Sequence, residues 1–168
     1  MRLGFRHLAA TTTAMTFALI LLGVYTGAIG AGLSCGARWP LCNGSVFGLF
    51  PADWPSFVEW FHRLVAMITG FMIIGTAYAA WKRQESDAVR RASIVALAVL
   101  PVQVMLGANT IWGYGPLAQV LHHSAALLIF ASLTAATAWS FQHAAAAAAE
   151  TPSDAEQSAE NTSGPVRL

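Results

Sequence analysis

Charge is what this sequence lacks. Nine Lys and Arg and eight Asp and Glu make up 10% of its 168 residues, where water-soluble domains carry about 25%. A surface so poor in charge excludes an ordinary soluble domain, and the mean hydropathy of +0.55 agrees. The acidic residues are also badly spread: Glu150, Asp154, Glu156 and Glu160 all stand near the end, leaving long uncharged stretches before them. No stripe of Lys and Arg interleaved with aromatics exists, so the electrostatic footprint of nucleic-acid binding is missing. Only two cysteines occur. They are too few for a relay between two redox pairs, and their loop lacks the two further ligands a zinc site needs.

What is present is apolar length. A helix crosses about 30 Å of hydrocarbon with roughly twenty residues, and four runs qualify, at about 13–31, 57–81, 92–112 and 118–141, with Trp or Tyr at many of their ends as interfacial anchors. Arg2 and Arg6 precede the first run, and Lys82, Arg83, Arg90 and Arg91 fill the link between the second and third. Basic residues stay on the cytoplasmic side, so both segments are expected inside, and both termini with them. The other loops, 32–56 and 113–117, carry only Arg38 as a basic residue and are expected outside. A basic start and small residues near Gly30 also suit a cleaved leader, but the first run exceeds the 7 to 15 apolar residues of about a signal core. The short links make successive helices antiparallel. The expected fold is all-α, an integral membrane four-helix up-down-up-down bundle over 1–143, in the plasma membrane, followed by a disordered cytoplasmic tail over 144–168. Gly23, Gly27 and Ala31, four apart, predict a face of close helix contact. Pro101 predicts a kink in the third span, where Gln103, Asn109 and Thr110 are expected to bond between helices.

Ionisable groups inside a span are functional candidates by default. Glu59, His62 and Arg63 open the second helix, and His122 and His123 open the fourth. Glu59 and His62 share a face, continued by Ala66, Thr69 and Gly70; Ala125 and Ala126 follow His122 in the same way. His62 and His122 stand within about a turn of equal depth. That is the arrangement for axial ligation of one haem iron, with small residues leaving room for a flat macrocycle. The competing reading has both imidazoles at the interface, bonded to headgroups or water. His122 and His123 point about 100° apart, so one of them at most is a ligand. Glu59 and Arg63, one turn apart, suit a plain ion pair; alternatively Glu59 faces the haem and moves a proton, while Arg63 snorkels outward or holds a propionate. Cys35 and Cys42, in the outer loop, predict a disulfide.

These residues resemble the heme A synthase family. The run Glu59-Trp60-Phe61-His62-Arg63 is similar to its Glu-x-x-His-Arg signature, Trp39-Pro40-Leu41-Cys42-Asn43-Gly44 to its outer cysteine loop, Leu106-Gly107-Ala108-Asn109-Thr110 to the end of its third helix, and Leu121-His122 to its next ligand position. The resemblance favours His122 over His123. It implies hydroxylation of the C8 methyl of haem O on the way to the formyl of haem A for terminal oxidases, assisted by a bound haem b. His62 and His122 would be the iron ligands, Glu59 the essential acid, Arg63 a haem contact and Cys35–Cys42 a loop disulfide. Typical members carry two such four-helix halves, so the expectation is a homo-oligomer, with a haem O synthase or oxidase assembly factors as partners. Three rivals remain: a haem b electron carrier or haem-handling assembly protein without that activity, a quinone-linked thiol oxidoreductase, and a purely structural membrane subunit.

Overall fold

The computed structural model describes residues 4–36, 38, 42, 53–83, 85–113 and 115–162, with side chains as far as 149. They form four helices: α1, Phe5–Ala28; α2, Trp54–Lys82; α3, Asp87–Trp112; and α4, Pro116–Thr162; a 3-10 turn, Ala31–Leu33, follows α1. All four are long and apolar enough to cross a membrane. The chain is therefore an all-α, multi-pass membrane bundle.

Local chemistry sets where the helices begin. The Asp53 carboxylate accepts the Ser56 backbone N–H at 2.9 Å, with Pro55 in the first turn of α2, a cap that satisfies one orphan donor. That bond holds the Asp53 carboxyl below its ordinary pKa. Ser86 caps α3, with Asp87 in its first turn, where a negative charge suits the helix dipole.

Each helix packs on its two neighbours in the ring α1–α2–α3–α4, and among the described residues neither diagonal pair, α1 with α3 or α2 with α4, comes into backbone contact. At one end Phe5 and Ala9 of α1 meet Ala80 near the end of α2, Val89 and Ala92 near the start of α3, and Ala136 of α4. Neighbouring helices therefore alternate in direction.

The interior is built mostly of small and hydroxyl-bearing side chains around a few larger ones, Ile73, Ile129 and Leu133. Ala9, Ala80, Ala96 and Ala136 are buried, and so are Thr12, Thr16, Thr69, Thr76 and Ser93. Thr12 of α1 meets Thr76 of α2 at 2.9 Å, and Thr13 meets Thr137 of α4 at 3.0 Å. Large apolar residues face the other way: Phe71 is 67% exposed, Met105 72% and Trp81 74%. This is the distribution for a hydrocarbon solvent, which leaves association to close packing and interhelical hydrogen bonds.

The sequence reading differs from the structure at two points. The helix expected to end near 141 continues to Thr162, into the stretch expected to be disordered; the alanine run at 144–149 has the highest helix propensity of any residue type and carries it on. Gly27, expected at a helix contact with Gly23, is exposed and has nothing within 4 Å of where its Cβ would stand.

Candidate functional site

The site candidates gather at the end of the bundle opposite the Phe5 cluster, where α1 and α3 finish and α2 and α4 begin. Three residues come from the first turns of α2. Glu59 is buried, and Arg63, one turn on, donates from Nε to its Oε1 at 2.7 Å. The same guanidinium donates from Nη1 to the Arg38 carbonyl at 2.7 Å. Arg63 thus ties the acid to the loop between α1 and α2 instead of snorkelling outward.

That loop is seated on α2 at further points. Cys35 and Cys42 are joined in a disulfide and both are buried. Their sulfurs stand 4.0 and 3.9 Å from the Ser56 carbonyl oxygen, and the Ser56 hydroxyl donates to the Ser34 carbonyl at 3.3 Å. Close by, the Trp54 indole donates to the Tyr25 hydroxyl at 3.3 Å. The loop residues Trp39, Pro40, Leu41, Asn43 and Gly44, quoted above for the resemblance, lie outside the described residues.

The two histidines occupy corresponding places. His62 of α2 lies against Gly23 of α1, where an added Cβ would stand 3.0 Å from the ring's Cε1; His122 of α4 lies against Gly107 of α3 with the same 3.0 Å spacing. Each ring keeps a buried Nδ1 with no hydrogen-bond partner. The other nitrogen of His122 stands 3.3 Å from the Gln103 amide nitrogen. His123 behaves differently: its Nδ1 donates to the Gln119 carbonyl of its own helix at 2.7 Å, and its ring stands edge-on to that of His122, 5.9 Å between centroids.

A haem fits this donor set. Two imidazoles are the axial pair of a low-spin iron, and here they stand at one end of the bundle on the diagonal helices α2 and α4, whose backbones do not touch. Buried nitrogens without partners are costly unless something satisfies them, and Thr69 Oγ1 and Gln103 Oε1 are orphaned in the same way. No group of three or more His, Cys, Asp or Glu able to hold a bare ion occurs among the described residues; a porphyrin supplies four nitrogens itself and asks for two.

Sequence reasoning missed Gly23 and Gly107 as the surfaces on which the imidazoles rest. The signal was there as a repeat: Leu22-Gly23-Val24-Tyr25-Thr26 in α1 and Leu106-Gly107-Ala108-Asn109-Thr110 in α3 share Leu-Gly-x-x-Thr. Of the three α3 groups expected to bond between helices, Gln103 does so through His122, whereas the Thr110 hydroxyl bonds back to the Gly107 carbonyl and the Asn109 carbonyl accepts the Gly113 N–H that ends the helix.

Comparison with known proteins adds the following. Residues 52–134 match the family COX15-CtaA, described as cytochrome oxidase assembly protein. A protoheme IX farnesyltransferase of Halobacterium salinarum is 42% identical over 125 residues, 73% of this chain but 27% of that protein. Heme A synthases of Bacillus licheniformis and Shouchella clausii are 34% and 31% identical, over 79% and 84% of this chain and 43% and 48% of theirs. The chain thus spans less than half the length of each of these relatives. The transferase name describes a protein that lies mostly outside the match. No solved structure matches the chain.

Proposed function

The chain belongs to the heme A synthase family, and from that premise we propose that it is a membrane haem-binding oxidoreductase, converting the C8 methyl of haem O to the formyl of haem A for terminal oxidases. The family supports a role in heme A biosynthesis for cytochrome oxidase. The observation that carries the finer reading is the pair of imidazoles, His62 and His122, each with a buried nitrogen lacking a partner, beside the buried Glu59. His62 and His122 hold the iron of a haem b. When bound, the haem would supply the redox chemistry, passing the electrons removed from the methyl to an external electron acceptor.

The remaining roles fall to neighbouring residues. Glu59 is the proton acceptor at this end of the bundle, its ionised carboxylate held in orientation by Arg63 from one turn away. Arg63 would also hold a propionate. We place that end outside the plasma membrane and both termini inside, following the basic residues. One imidazole pair among the described residues gives one haem seat. We propose that a second unit, contributed by a second copy of the chain, holds the substrate haem O.

The test is an optical spectrum of the purified protein together with pigment extraction after co-expression with a source of haem O. A sharp reduced alpha band that disappears in both His62→Ala and His122→Ala, with haem A formed only by the intact chain, is the expected result. Haem O persisting beside bound haem b would leave a carrier without the oxidation. A colourless parent would remove the haem altogether.

A further inference from the structure

We infer that Gly23 and Gly107 are positioning residues for the two imidazoles, each leaving a seat, the gap that admits the Cε1 edge of the ring and so fixes its orientation for the proposed haem. The inference rests on the haem reading above and adds residues outside the ligand set. It starts from an equality: on two different helices the missing Cβ would stand the same 3.0 Å from Cε1 of a histidine on the next helix, with both ring nitrogens between 3.6 and 3.9 Å. Ordinary Cβ contacts begin near 3.4 Å, so a methyl at either place forces the ring or the helix to give by a few tenths of an ångström.

Glycine here is not explained by backbone conformation, because both residues sit inside regular helix, where glycine costs about 1 kcal/mol relative to alanine. Nor is it explained by close helix approach: Gly27, one turn beyond Gly23, faces open space. What the glycine admits in each case is an imidazole. Thr26 and Thr110, three residues on, turn their hydroxyls back onto carbonyls of their own helices, Leu22 and Gly107, at 2.7 Å. The Nδ1 of each ring has no hydrogen-bond partner. The pattern Leu-Gly-x-x-Thr on one helix and His on the next occurs twice, in α1–α2 and in α3–α4. The bundle is thus two similar hairpins, each offering one imidazole.

Ring orientation matters because the relative angle of two axial imidazole planes sets the low-spin g-values of ferric haem. The experiment compares the parent with Gly23→Ala, Gly107→Ala and Gly27→Ala, the last as a control on the same helix. In haem-free protein labelled with 15N-histidine, Gly23→Ala is expected to move the ring resonances of His62 alone and Gly107→Ala those of His122 alone. In haem-loaded protein both seat variants should shift the low-spin electron paramagnetic resonance spectrum and retain haem about tenfold less tightly, while Gly27→Ala matches the parent. Unmoved ring signals, or g-values equal to the parent's in both seat variants, would overturn the inference. So would failure of both chains to fold, which would make the glycines packing residues only. A parent whose ring signals respond but which binds no haem sinks the proposed function and reduces the seats to packing, an outcome separable from the others because the ring signals are read without haem.

Discussion

Arg63 holds two things at once, a buried carboxylate and a loop carbonyl, and its loss should be felt more than that of its partner. Arg63→Leu leaves the Glu59 charge buried and unpaired, a change that costs about 3–5 kcal/mol, and also frees Arg38. Glu59→Gln keeps an oxygen for the guanidinium. Thermal unfolding in detergent should therefore show Arg63→Leu much less stable than Glu59→Gln, and on the proposed function the latter keeps its pigment while losing haem A formation. Equal midpoints for the two variants would mean that the pair carries no such weight. That Glu59, His62 and Arg63 open one helix was legible from spacings of three and four. That the Arg38 carbonyl completes the group was not, because a backbone acceptor twenty-five positions away leaves no mark in side-chain pattern.

The helices themselves were the most legible elements, since length and hydropathy decide what can cross a bilayer. All four exist where the apolar runs predicted them, and the cysteine bridge spans the expected pair. The ends were less legible: capping by Asp53 and Ser86 starts α2 and α3 earlier than the apolar runs do, and alanine prolongs α4. Pairing between helices is carried by hydroxyls. A double-mutant cycle on Thr12→Val and Thr76→Val should return a coupling of about 0.6 kcal/mol, and a value indistinguishable from zero would show that the 2.9 Å contact contributes nothing beyond packing. The α2 cap gives a pH signature. Because Asp53 has its carboxyl held below the usual value of 3.8 by the Ser56 N–H, its contribution is complete above that value and is lost as pH falls through the lower folded value. An Asp53→Ala chain should be less stable than the parent at neutral pH and equal to it at the acid end, as read by the unfolding midpoint at each pH.

For the whole molecule, the ring of neighbour contacts sets α2 and α4 on a diagonal with no backbone contact between them, and each brings one of the two imidazoles to the same end. Sequence could place the histidines at equal depth but could not say which helices are diagonal; that follows from how the links fold back. The Cys35–Cys42 bridge stands at the same end, against Ser56 of α2. With both cysteines replaced by serine the chain should lose about 2–3 kcal/mol and keep its pigment, whereas loss of the pigment would move the disulfide into the haem site. Mass measurement in detergent addresses the second unit: an assembly of two or more copies is expected, and a fully active monomer would defeat it.

An interior in which alanine, serine and threonine surround a few larger residues such as Ile129 and Leu133 widens the range of harmful changes familiar from proteins that fold in water. There, trimming a core side chain is the usual damage. Here, enlarging a small inner one harms as well, while shortening Phe71 or Met105 costs the bundle little and leaves lipid to fill the gap. A saturation scan would show damage rising with added volume along the faces of Ala96 and Thr76, and near indifference to which apolar residue meets the acyl chains.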